Sequence, residues 1–503
     1  MSIQQKLTHA YLWNLVGRWG LRFIGIGSTL VLVRLLPPEA FGIVATATIY
    51  IGFFETLSAI GVKRYLIAHT DLSNRDLNTA WTLRILIKLV LMIVLIVSSG
   101  LIASFVGEPD LELIIIVISI SGFLGAFGNI GLVKLEKDVN FKPMVQLGIV
   151  VKIITAVTTL GIAYIHPTYW ALVIGSCVGA LLNMFGSYIV YKYTPRFDWR
   201  FKMAMIANSS WLLLRGVLGY SKNRFDLFLV SSTFSSQQVG QYKIAQDFSI
   251  LPFTELIGPA TWGLFPALSH LKNDKKQLYL NTYKFLALTY LLIIPSIVGM
   301  FIVSEQFIYV VLGQQWTAVI PILGPLSIMM LGYPLQSLSH NIYDYLGKTK
   351  VSILLDVIAL LLLAVVFYVA YSLAYLGDLT QFVYLRVAVA FFMFFVTAMF
   401  IKITLGFSLR ALSIVILVPS VAALIMYAGL EFGYMSYSNT LLGLLTNVLL
   451  GSLYYGVSVT TIIYLVGKKS LIWGYWMSKI SEAKGKLAPI IIDRIHLHLR
   501  KLR

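Results

Sequence analysis

The chain has 503 residues, of which 58% are hydrophobic and only 12% are charged, and its mean hydropathy is +0.83. A soluble globular protein carries roughly 25% charged residues, so this composition excludes an ordinary soluble enzyme and favours a protein embedded in a bilayer. The net charge of +18 would suit a nucleic-acid-binding protein, but Lys and Arg fall mainly in short loops between apolar runs, which is the pattern of membrane topology.

Apolar runs of about 20 residues, the length that ~30 Å of hydrocarbon requires, recur about fourteen times along the chain. The first predicted spans are Ala10–Leu35, Ala40–Val62, Ala80–Val106, Leu111–Val133, Pro143–Ile165 and Tyr169–Tyr191. The later ones are Ala207–Ser232, Val239–Trp262, Leu280–Val303, Ala318–Tyr345, Val351–Tyr371, Gln381–Ile401, Ala411–Leu430 and Thr440–Val466. We therefore predict an all-α, polytopic membrane protein.

The loops between these spans alternate in charge. One set carries clusters of Lys and Arg, whereas the opposite set reads PPEA, GEPD, IHPT, SSTFSSQ, VSEQ, YLGD and EFGYMS and holds almost no basic residue. Cytoplasmic loops of membrane proteins are enriched in Lys and Arg. The alternation therefore predicts that the basic loops and both termini lie in the cytoplasm.

A weak internal repeat divides the chain. When the sequence is shifted by roughly 200 residues, AFGIVATATI aligns with QVGQYKIAQD, and Gly42 meets Gly240. An even number of spans separates the copies, so the repeat is parallel and its axis runs along the membrane normal. We predict an N-terminal six-helix bundle at 1–200, a C-terminal six-helix bundle at 201–404, two extra helices at 405–466 and a basic amphipathic cytoplasmic tail at 467–503.

Many cations lie inside the predicted spans, where charge is costly unless it faces protein or water. Arg18 and Arg22 share one helix face because four residues separate them. Since Arg and Lys bind phosphate oxygens, we predict a cationic cavity that holds a pyrophosphate or an acidic sugar. The predicted substrate-binding residues are Arg18, Arg22, Arg84, Lys88, Arg215, Lys222 and Arg224.

Acidic side chains are fewer in the spans. A carboxylate in a membrane cavity can bind Na⁺ or exchange a proton, so we predict that Asp226, Asp247 and Glu255 couple transport to an ion gradient. Simpler roles stay open for both sets. The cations can extend to the nearer membrane surface, and Lys222 can pair with Asp226 at helical spacing.

No catalytic or metal-binding constellation stands out in the sequence. It has no phosphate-binding loop of the G-x-x-x-x-G-K-S/T kind, its only cysteine is Cys177, and its seven histidines are dispersed. We therefore predict a transporter rather than an enzyme. We expect no cofactor, no metal and no nucleic acid among its partners.

Several segments resemble bacterial polysaccharide flippases of the Wzx type, in the MOP exporter superfamily. The opening LVGRWGLRFIGIGSTLVLVRLLPPEAFGIVATA is similar to the family's first helical hairpin, and NRFDLFLVSSTFSSQQVGQYKIAQDFSILP is similar to its seventh and eighth spans. The segments FPALSHLKNDKKQLYLNTYKFLAL, VVLGQQWTAVIPIL and YDYLGKTK are also typical. The resemblance covers most of residues 1–466 and is nearest to exopolysaccharide exporters related to the colanic acid exporter.

This resemblance implies a V-shaped pair of bundles that works by alternating access in the bacterial inner membrane. It implies a cargo of undecaprenyl-pyrophosphate-linked oligosaccharide repeat units, moved from the cytoplasmic to the periplasmic leaflet for exopolysaccharide or O-antigen synthesis. Membrane lipid, a polysaccharide polymerase, and H⁺ or Na⁺ are the further partners we expect. Two alternatives stay open. A MATE-like multidrug/cation antiporter would need an acidic cavity, and a membrane glycosyltransferase or polymerase would need a carboxylate or metal site at a membrane face.

Overall fold

The computed structural model describes residues 3–58, 62–69, 72–201, 210–257, 275–433 and 438–482. Within these ranges the chain is almost entirely helical and contains no β-strand. Eleven helices of the described residues are long and apolar enough to cross a membrane. The predicted all-α, multi-pass membrane fold is confirmed.

The helices lie where the apolar runs predict them. The earlier ones are α1 (Ile3–Leu35), α2 (Pro38–Ser58), α3 (Val62–Ala68), α4 (Asn74–Val106), α5 (Asp110–Gly125), α6 (Leu132–Lys137), α7 (Lys142–Ile165), α8 (Trp170–Val190), α9 (Ser210–Thr233) and α10 (Ser236–Ser249). The later ones are α11 (Lys275–Phe307), α12 (Ile320–Ser327), α13 (Tyr333–Tyr345), α14 (Thr349–Ser372), α15 (Leu379–Leu405), α16 (Leu409–Phe432) and α17 (Leu441–Gly467). Each predicted span overlaps at least one of them.

Three predicted spans are shorter or more polar than an isolated membrane helix would be. α5 has 16 residues and α10 has 14, while α9 carries Arg215, Lys222, Arg224 and Asp226 within 24 residues. These three are not among the eleven apolar helices of the described chain. α9 packs on α2, and α5 packs on α4 and α8, so protein covers part of the surface that lipid would otherwise meet.

Two predicted spans are interrupted where Gly or Pro occurs. The fourth ends at Gly125, passes through turns at residues 126–131 and resumes as α6. The tenth divides into a 3-10 helix (Gln314–Val319), α12, a second 3-10 helix (Ile328–Leu331) and α13. Pro325 and Pro334 lack the amide hydrogen that a continuous helix needs. The interruptions leave backbone carbonyl groups that need partners outside the helix.

The chain divides into two compact units. The first comprises Met1–Ile244, Val311–Ala318 and Asp356–Leu379, and the second comprises Ala245–Val310, Val319–Leu355 and Thr380–Arg503. The bundle boundaries near residues 200 and 404 come from the sequence repeat, and they remain a prediction.

Small residues bring the helices of the first unit close together. α1 packs on α7, and a Cβ added to Gly17 would lie 2.8 Å from Val145 Cγ1. α7 packs in turn on α8, where a Cβ added to Gly175 would lie 1.9 Å from the Thr159 hydroxyl oxygen. Close approach through small residues is how membrane helices gain packing energy in the absence of a hydrophobic driving force.

Residues 311–318 attach to the C-terminal end of α1. The Trp316 indole N–H donates to the Val33 carbonyl at 2.7 Å, and the Gln315 amide donates to the Leu36 carbonyl at 3.2 Å. Trp316 is fully buried, and its ring meets Phe41 edge-on with the centroids 5.6 Å apart. The last carbonyls of a helix have no partner within the helix, so this segment caps α1.

In the second unit, α16 packs on both α11 and α17. Residues 471–482 form a further helix, α18, whose Trp473 is fully buried and donates to the Ile414 carbonyl at 3.3 Å. The Lys284 ammonium lies 4.1 Å from the centroid of the Tyr475 ring, in cation–π geometry. These contacts anchor the beginning of the predicted tail, and its residues after 482 lie outside the described ones.

Candidate functional site

α2 and α10 cross at their N-terminal ends with almost no space between their backbones. A Cβ added to Gly42 would lie 1.7 Å from the Ser236 carbonyl oxygen, and one added to Gly240 would lie 1.8 Å from the Pro38 carbonyl oxygen. Real Cβ atoms essentially never approach other atoms within 3.0 Å, so only glycine fits at either position. The contact is symmetric, because the repeat relates Pro38 to Ser236 as it relates Gly42 to Gly240.

Polar contacts hold the beginning of α10. The Gln238 side-chain oxygen accepts from the Ser235 N–H at 3.3 Å, and the Gln238 N–H donates to the Ser235 hydroxyl at 3.4 Å, which completes a capping box. The Ser236 hydroxyl donates to the carboxylate of Glu108, in the loop after α4. A carboxylate near a helix N-terminus interacts favourably with the helix dipole. Glu108 therefore stabilises the N-terminal end of α10, next to the point where α10 crosses α2.

Two of the predicted substrate-binding cations form ion pairs. The Lys88 ammonium lies 2.8 Å from the Glu55 carboxylate, and the Lys222 ammonium lies 2.8 Å from the Asp356 carboxylate. The Lys222 and Asp356 side chains are 16% and 18% exposed, so each is largely removed from water and needs the other. The alternative partner suggested by helical spacing, Asp226, is wrong, because α14 supplies the acid instead.

A third predicted cation, Arg84, stabilises the interruption between α5 and α6. Its guanidinium donates to the Gly128 carbonyl, and the Trp81 indole N–H donates to the same oxygen at 3.2 Å. The Asn129 amide, one residue further on, donates to the Ser187 carbonyl at 3.3 Å. Arg84 Nε is buried and has no hydrogen-bond partner in the described part of the chain. Arg84 thus holds the chain break and keeps one unused donor.

Arg84 and Lys88 line a cavity of about 390 Å³. α2, α4, α6 and α7 contribute to its wall, together with the interruption before α6, and Glu136 and Asn129 are among its polar groups. The cavity lies toward the ends of α2 and α4 that the loop charges assign to the cytoplasm. It therefore brings two of the predicted cations together, beside an acid that reduces the net positive charge.

The four arginines on α1 and α9 lie in different surroundings. Arg18 and Arg22 are exposed on α1, and Arg215 is half-buried on α9. Arg224 is exposed and lines a second cavity, of about 430 Å³, between α2, α4 and α9. Arg18, Arg22 and Arg215 line neither of these two cavities. That the four share one substrate site remains a prediction.

The three predicted coupling acids also differ in burial. Asp226 is only 2% exposed and accepts a hydrogen bond from the Tyr242 hydroxyl at 3.0 Å. Asp247 is exposed on α10, and Glu255 is half-buried in a π-helix that follows α10. Single π-helical turns are frequent at functional sites. In the described residues, no group of three or more His, Cys, Asp or Glu side chains could hold a metal ion.

Sequence reasoning does not assign roles to Asp356, Asn129 or Trp81. Asp356 is visible as a lone acid in an apolar span, and its need for a cation is the signal that could have identified it. Asn129 lies in the segment GAFGNIG, whose glycines indicate a break in the helix. Trp81 offers no such signal, because an aromatic residue in an apolar span is ordinary.

Comparison with known proteins places these features in a family. The family model described as polysaccharide biosynthesis protein matches residues 31–321. The lipopolysaccharide biosynthesis protein WzxC of Escherichia coli (strain K12) is 24% identical over 351 residues, which make up 67% of this chain and 70% of that protein.

Two solved structures share the fold. The lipid II flippase MurJ, in an inward closed conformation, superposes with a TM-score of 0.71 at 15% identity, covering 91% of this chain and 99% of that one. An inward-facing multidrug resistance MATE family transporter of the MOP superfamily gives a TM-score of 0.51 at 13% identity, covering 79% of this chain and 94% of that one. These two structures show the fold, and the family model and WzxC confirm the resemblance to Wzx-type polysaccharide proteins. Because the family model matches more than half of its residues, this chain belongs to the polysaccharide biosynthesis protein family.

Proposed function

We propose that this protein is a flippase that moves undecaprenyl-pyrophosphate-linked oligosaccharide repeat units from the cytoplasmic to the periplasmic leaflet of the bacterial inner membrane. The observation that carries the proposal is the excess of cations in the helices of a membrane protein from this family, within a net charge of +18. Cations in a bilayer are costly unless a ligand or partner offsets the cost. A pyrophosphate can do so through charge-assisted hydrogen bonds of roughly 1.5–3 kcal/mol each.

On this proposal, Arg18, Arg22, Arg215 and Arg224 hold the anionic part of the cargo. Lys88 and Lys222 form ion pairs with carboxylates at 2.8 Å. Arg is better suited than Lys to this role, because its planar guanidinium binds two phosphate oxygens at once.

The cavity at Arg84 and Lys88 supports an additional role at the cytoplasmic side. It opens near the predicted cytoplasmic ends of α2 and α4, and Arg84 Nε has no hydrogen-bond partner among the described residues. We propose that this cavity binds the phosphate end of the cargo first, and that the arginines of α1 and α9 bind it afterwards.

The crossing of Gly42 and Gly240 supports alternating access as the mechanism. It lies at the ends of α2 and α10 that the loop charges assign to the periplasm, and it joins corresponding residues of the two repeat copies. Two helix backbones that meet at glycines can pack closely. They can also separate without rearranging interdigitated side chains. We propose that it is closed while cargo loads and separates when cargo leaves.

The acids extend the proposal to energy coupling. Asp226, Asp247 and Glu255 are proposed to bind H⁺ or Na⁺, so that cargo moves in one direction. We propose that both termini are cytoplasmic, as the loop charges predict, and that a polysaccharide polymerase receives the cargo in the periplasmic leaflet. A MATE-like drug antiporter fits less well, because cationic drugs favour acidic cavities and the two cavities above are lined by Arg84, Lys88 and Arg224.

The proposal is tested by deleting the gene and measuring two quantities in the same cells. These are the amount of exported polymer and the leaflet in which the lipid-linked repeat unit accumulates. We expect polymer to disappear while the repeat unit collects in the cytoplasmic leaflet, and we expect the intact gene to restore both. Accumulation in the periplasmic leaflet instead would refute a flippase and indicate a polymerase.

A further inference from the structure

An apolar cavity of about 430 Å³ lies between α2, α4 and α9. Aromatic rings form most of its wall: Tyr50, Phe53, Phe54, Tyr220, Phe225 and Phe228. The volume falls within the roughly 300–1,000 Å³ typical of small-molecule sites, which are mostly apolar with a few polar groups that fix orientation. The cavity therefore has the size and chemistry of a ligand site for an apolar group.

Contacts between its residues hold this wall in place. The Tyr220 hydroxyl donates to the Ile49 carbonyl at 2.8 Å, so the polar end of the ring is satisfied by the α2 backbone. Tyr50 and Phe228 meet edge-on with their centroids 5.9 Å apart, and Phe225 stacks beside Phe228 at 6.1 Å. Aromatic pairs at these separations stabilise one another, so the wall exists before a ligand arrives.

Arg224 is the one cation among the residues that line this cavity. It is exposed and forms no hydrogen bond or ion pair with the described residues. Glu55, whose charge acts on the neighbouring Tyr220, is already paired with Lys88 at 2.8 Å. A guanidinium in this position can accept an anion, and its fork of N–H donors matches phosphate oxygens.

We propose that this cavity binds the first isoprene units of the lipid carrier, with Arg224 holding the phosphate to which they are joined. The inference rests on the function proposed above and adds a site for the carrier's chain to it. A sugar does not suit this wall, because most of its hydroxyl groups would be buried against aromatic rings without hydrogen-bond partners. An isoprene unit suits it better than a saturated acyl chain, because each unit brings a double bond to rings that favour contact with π systems.

The test uses the purified full-length protein and four probes: farnesyl diphosphate, farnesol, inorganic pyrophosphate and dipalmitoyl phosphatidic acid. Ser98 lines the cavity, and its hydroxyl donates to the Val94 carbonyl of its own helix at 2.7 Å. Ser98→Leu therefore fills the cavity without removing a contact between helices. We expect it to weaken binding of farnesyl diphosphate about tenfold or more, through lost burial of the chain, and to leave pyrophosphate unaffected.

Arg224→Gln should remove the preference for farnesyl diphosphate over farnesol. The matched control is Ser104→Leu, an exposed position on α4 that does not line the cavity, which should bind all four probes like the unaltered protein. Equal affinity for phosphatidic acid and farnesyl diphosphate, or unchanged affinity in Ser98→Leu, would overturn the inference. Either of these binding results, obtained with a protein that restores polymer export to the deletion strain, would refute the carrier site and leave the proposed flippase function intact. Failure of the unaltered protein to restore export would refute the proposed function itself.

Discussion

Gly42 and Gly240 lie in direct backbone contact, each beneath a carbonyl oxygen of the other's helix. Because Pro38 and Ser236 supply those oxygens, the contact obeys the same two-fold relation as the sequence repeat. An isologous contact of this kind places the pseudo-symmetry axis between the two glycines. A motion that separates the two repeat copies symmetrically at this end must therefore break this contact.

The first prediction follows from the space at Gly42. In Gly42→Ala the new methyl group would lie 1.7 Å from the Ser236 carbonyl oxygen, so α2 and α10 must separate. Overpacking of this kind costs about 1–3 kcal/mol. We expect the variant to insert into the membrane but to close poorly. In a background where Cys177 is replaced by alanine, Ser236→Cys should then react faster with a membrane-impermeant thiol reagent.

The control for this experiment is Gly27→Ala, because an added Cβ at Gly27 on α1 meets nothing within 4 Å. It should leave both thiol reactivity and polymer export unchanged. Unaltered reactivity of Ser236→Cys in the Gly42→Ala background would contradict the role of the crossing as a seal.

The ion pair of Lys222 and Asp356 leads to the second prediction. Both side chains are largely removed from water, so removing Lys222 takes a close positive charge away from a largely buried carboxylate. Lys222→Ala should lower the free energy of unfolding by about 3–5 kcal/mol. The double variant Lys222→Met, Asp356→Leu should recover much of that loss. Thermal unfolding in detergent measures both changes. The single variants Lys222→Met and Asp356→Leu complete the comparison. A double variant that loses as much stability as the two single variants added together would contradict a coupled pair.

The exposed ion pair of Lys479 and Glu482 is the matched control for the variants of Lys222 and Asp356. Their side chains are 51% and 48% exposed although the charged atoms lie 2.9 Å apart. Water screens such a pair, so Lys479→Ala should leave the free energy of unfolding nearly unchanged.

The positions of the helices could be predicted because the bilayer itself imposes them. Span length follows from hydrocarbon thickness, and loop charge follows from the orientation rule, so neither depends on which helices touch. The repeat even aligned Gly42 with Gly240. Their contact could not be predicted, since an alignment of two segments does not say that they meet in space.

The partners of the intramembrane charges could not be predicted for the same reason. Helical spacing favoured Asp226 for Lys222, but the pair forms with Asp356, far along the chain. Arg84 illustrates a second limit, because its charge predicts an oxygen partner without saying whether that oxygen is a ligand's or the Gly128 carbonyl of a broken helix. Burial and backbone geometry decide the partner of Lys222 and the partner of Arg84, and local sequence predicts neither of these features.

The third prediction concerns acid stability at the loop before α9. The Arg200 backbone N–H donates to Asp198 at 3.0 Å and, with the Arg200 guanidinium at 3.2 Å, holds the pKa of Asp198 below its usual value of 3.8. Since the folded pKa is the lower one, this contribution to stability is present above the unfolded value and is lost as the pH falls through the folded value. Thermal unfolding below about pH 5 should therefore depend less on pH in Asp198→Asn. Coincident curves for the two proteins would refute it.

The fourth prediction concerns energy coupling at Asp226. Asp226→Asn keeps the shape of the side chain and an oxygen that can accept from the Tyr242 hydroxyl, so the fold should survive. It removes the charge that a cation or proton must bind, so transport driven by an imposed gradient should fall severalfold while exchange without a gradient continues. Asp378→Asn, which changes the same charge at an exposed loop position, should transport normally. Normal gradient-driven transport in the amide variants of Asp226, Asp247 and Glu255 alike would place the coupling site elsewhere.

The last prediction concerns the cargo site on α1. Arg18 and Arg22 are exposed on one helix and separated by a single turn, so two guanidinium groups can approach one pyrophosphate from the same side. Loss of one charge-assisted interaction of roughly 1.5–3 kcal/mol corresponds to about a tenfold to hundredfold loss of cargo affinity. Arg18→Ala should therefore remain in the membrane, stop polymer export and leave the lipid-linked unit in the cytoplasmic leaflet. Arg18→Lys should also be impaired, because a single ammonium cannot make two parallel hydrogen bonds to phosphate.

Arg410→Ala removes an exposed charge of the same sign at the start of α16 and should export normally, so net charge alone cannot explain the difference. Normal export by Arg18→Ala and Arg22→Ala would show that the cations of α1 do not bind the cargo.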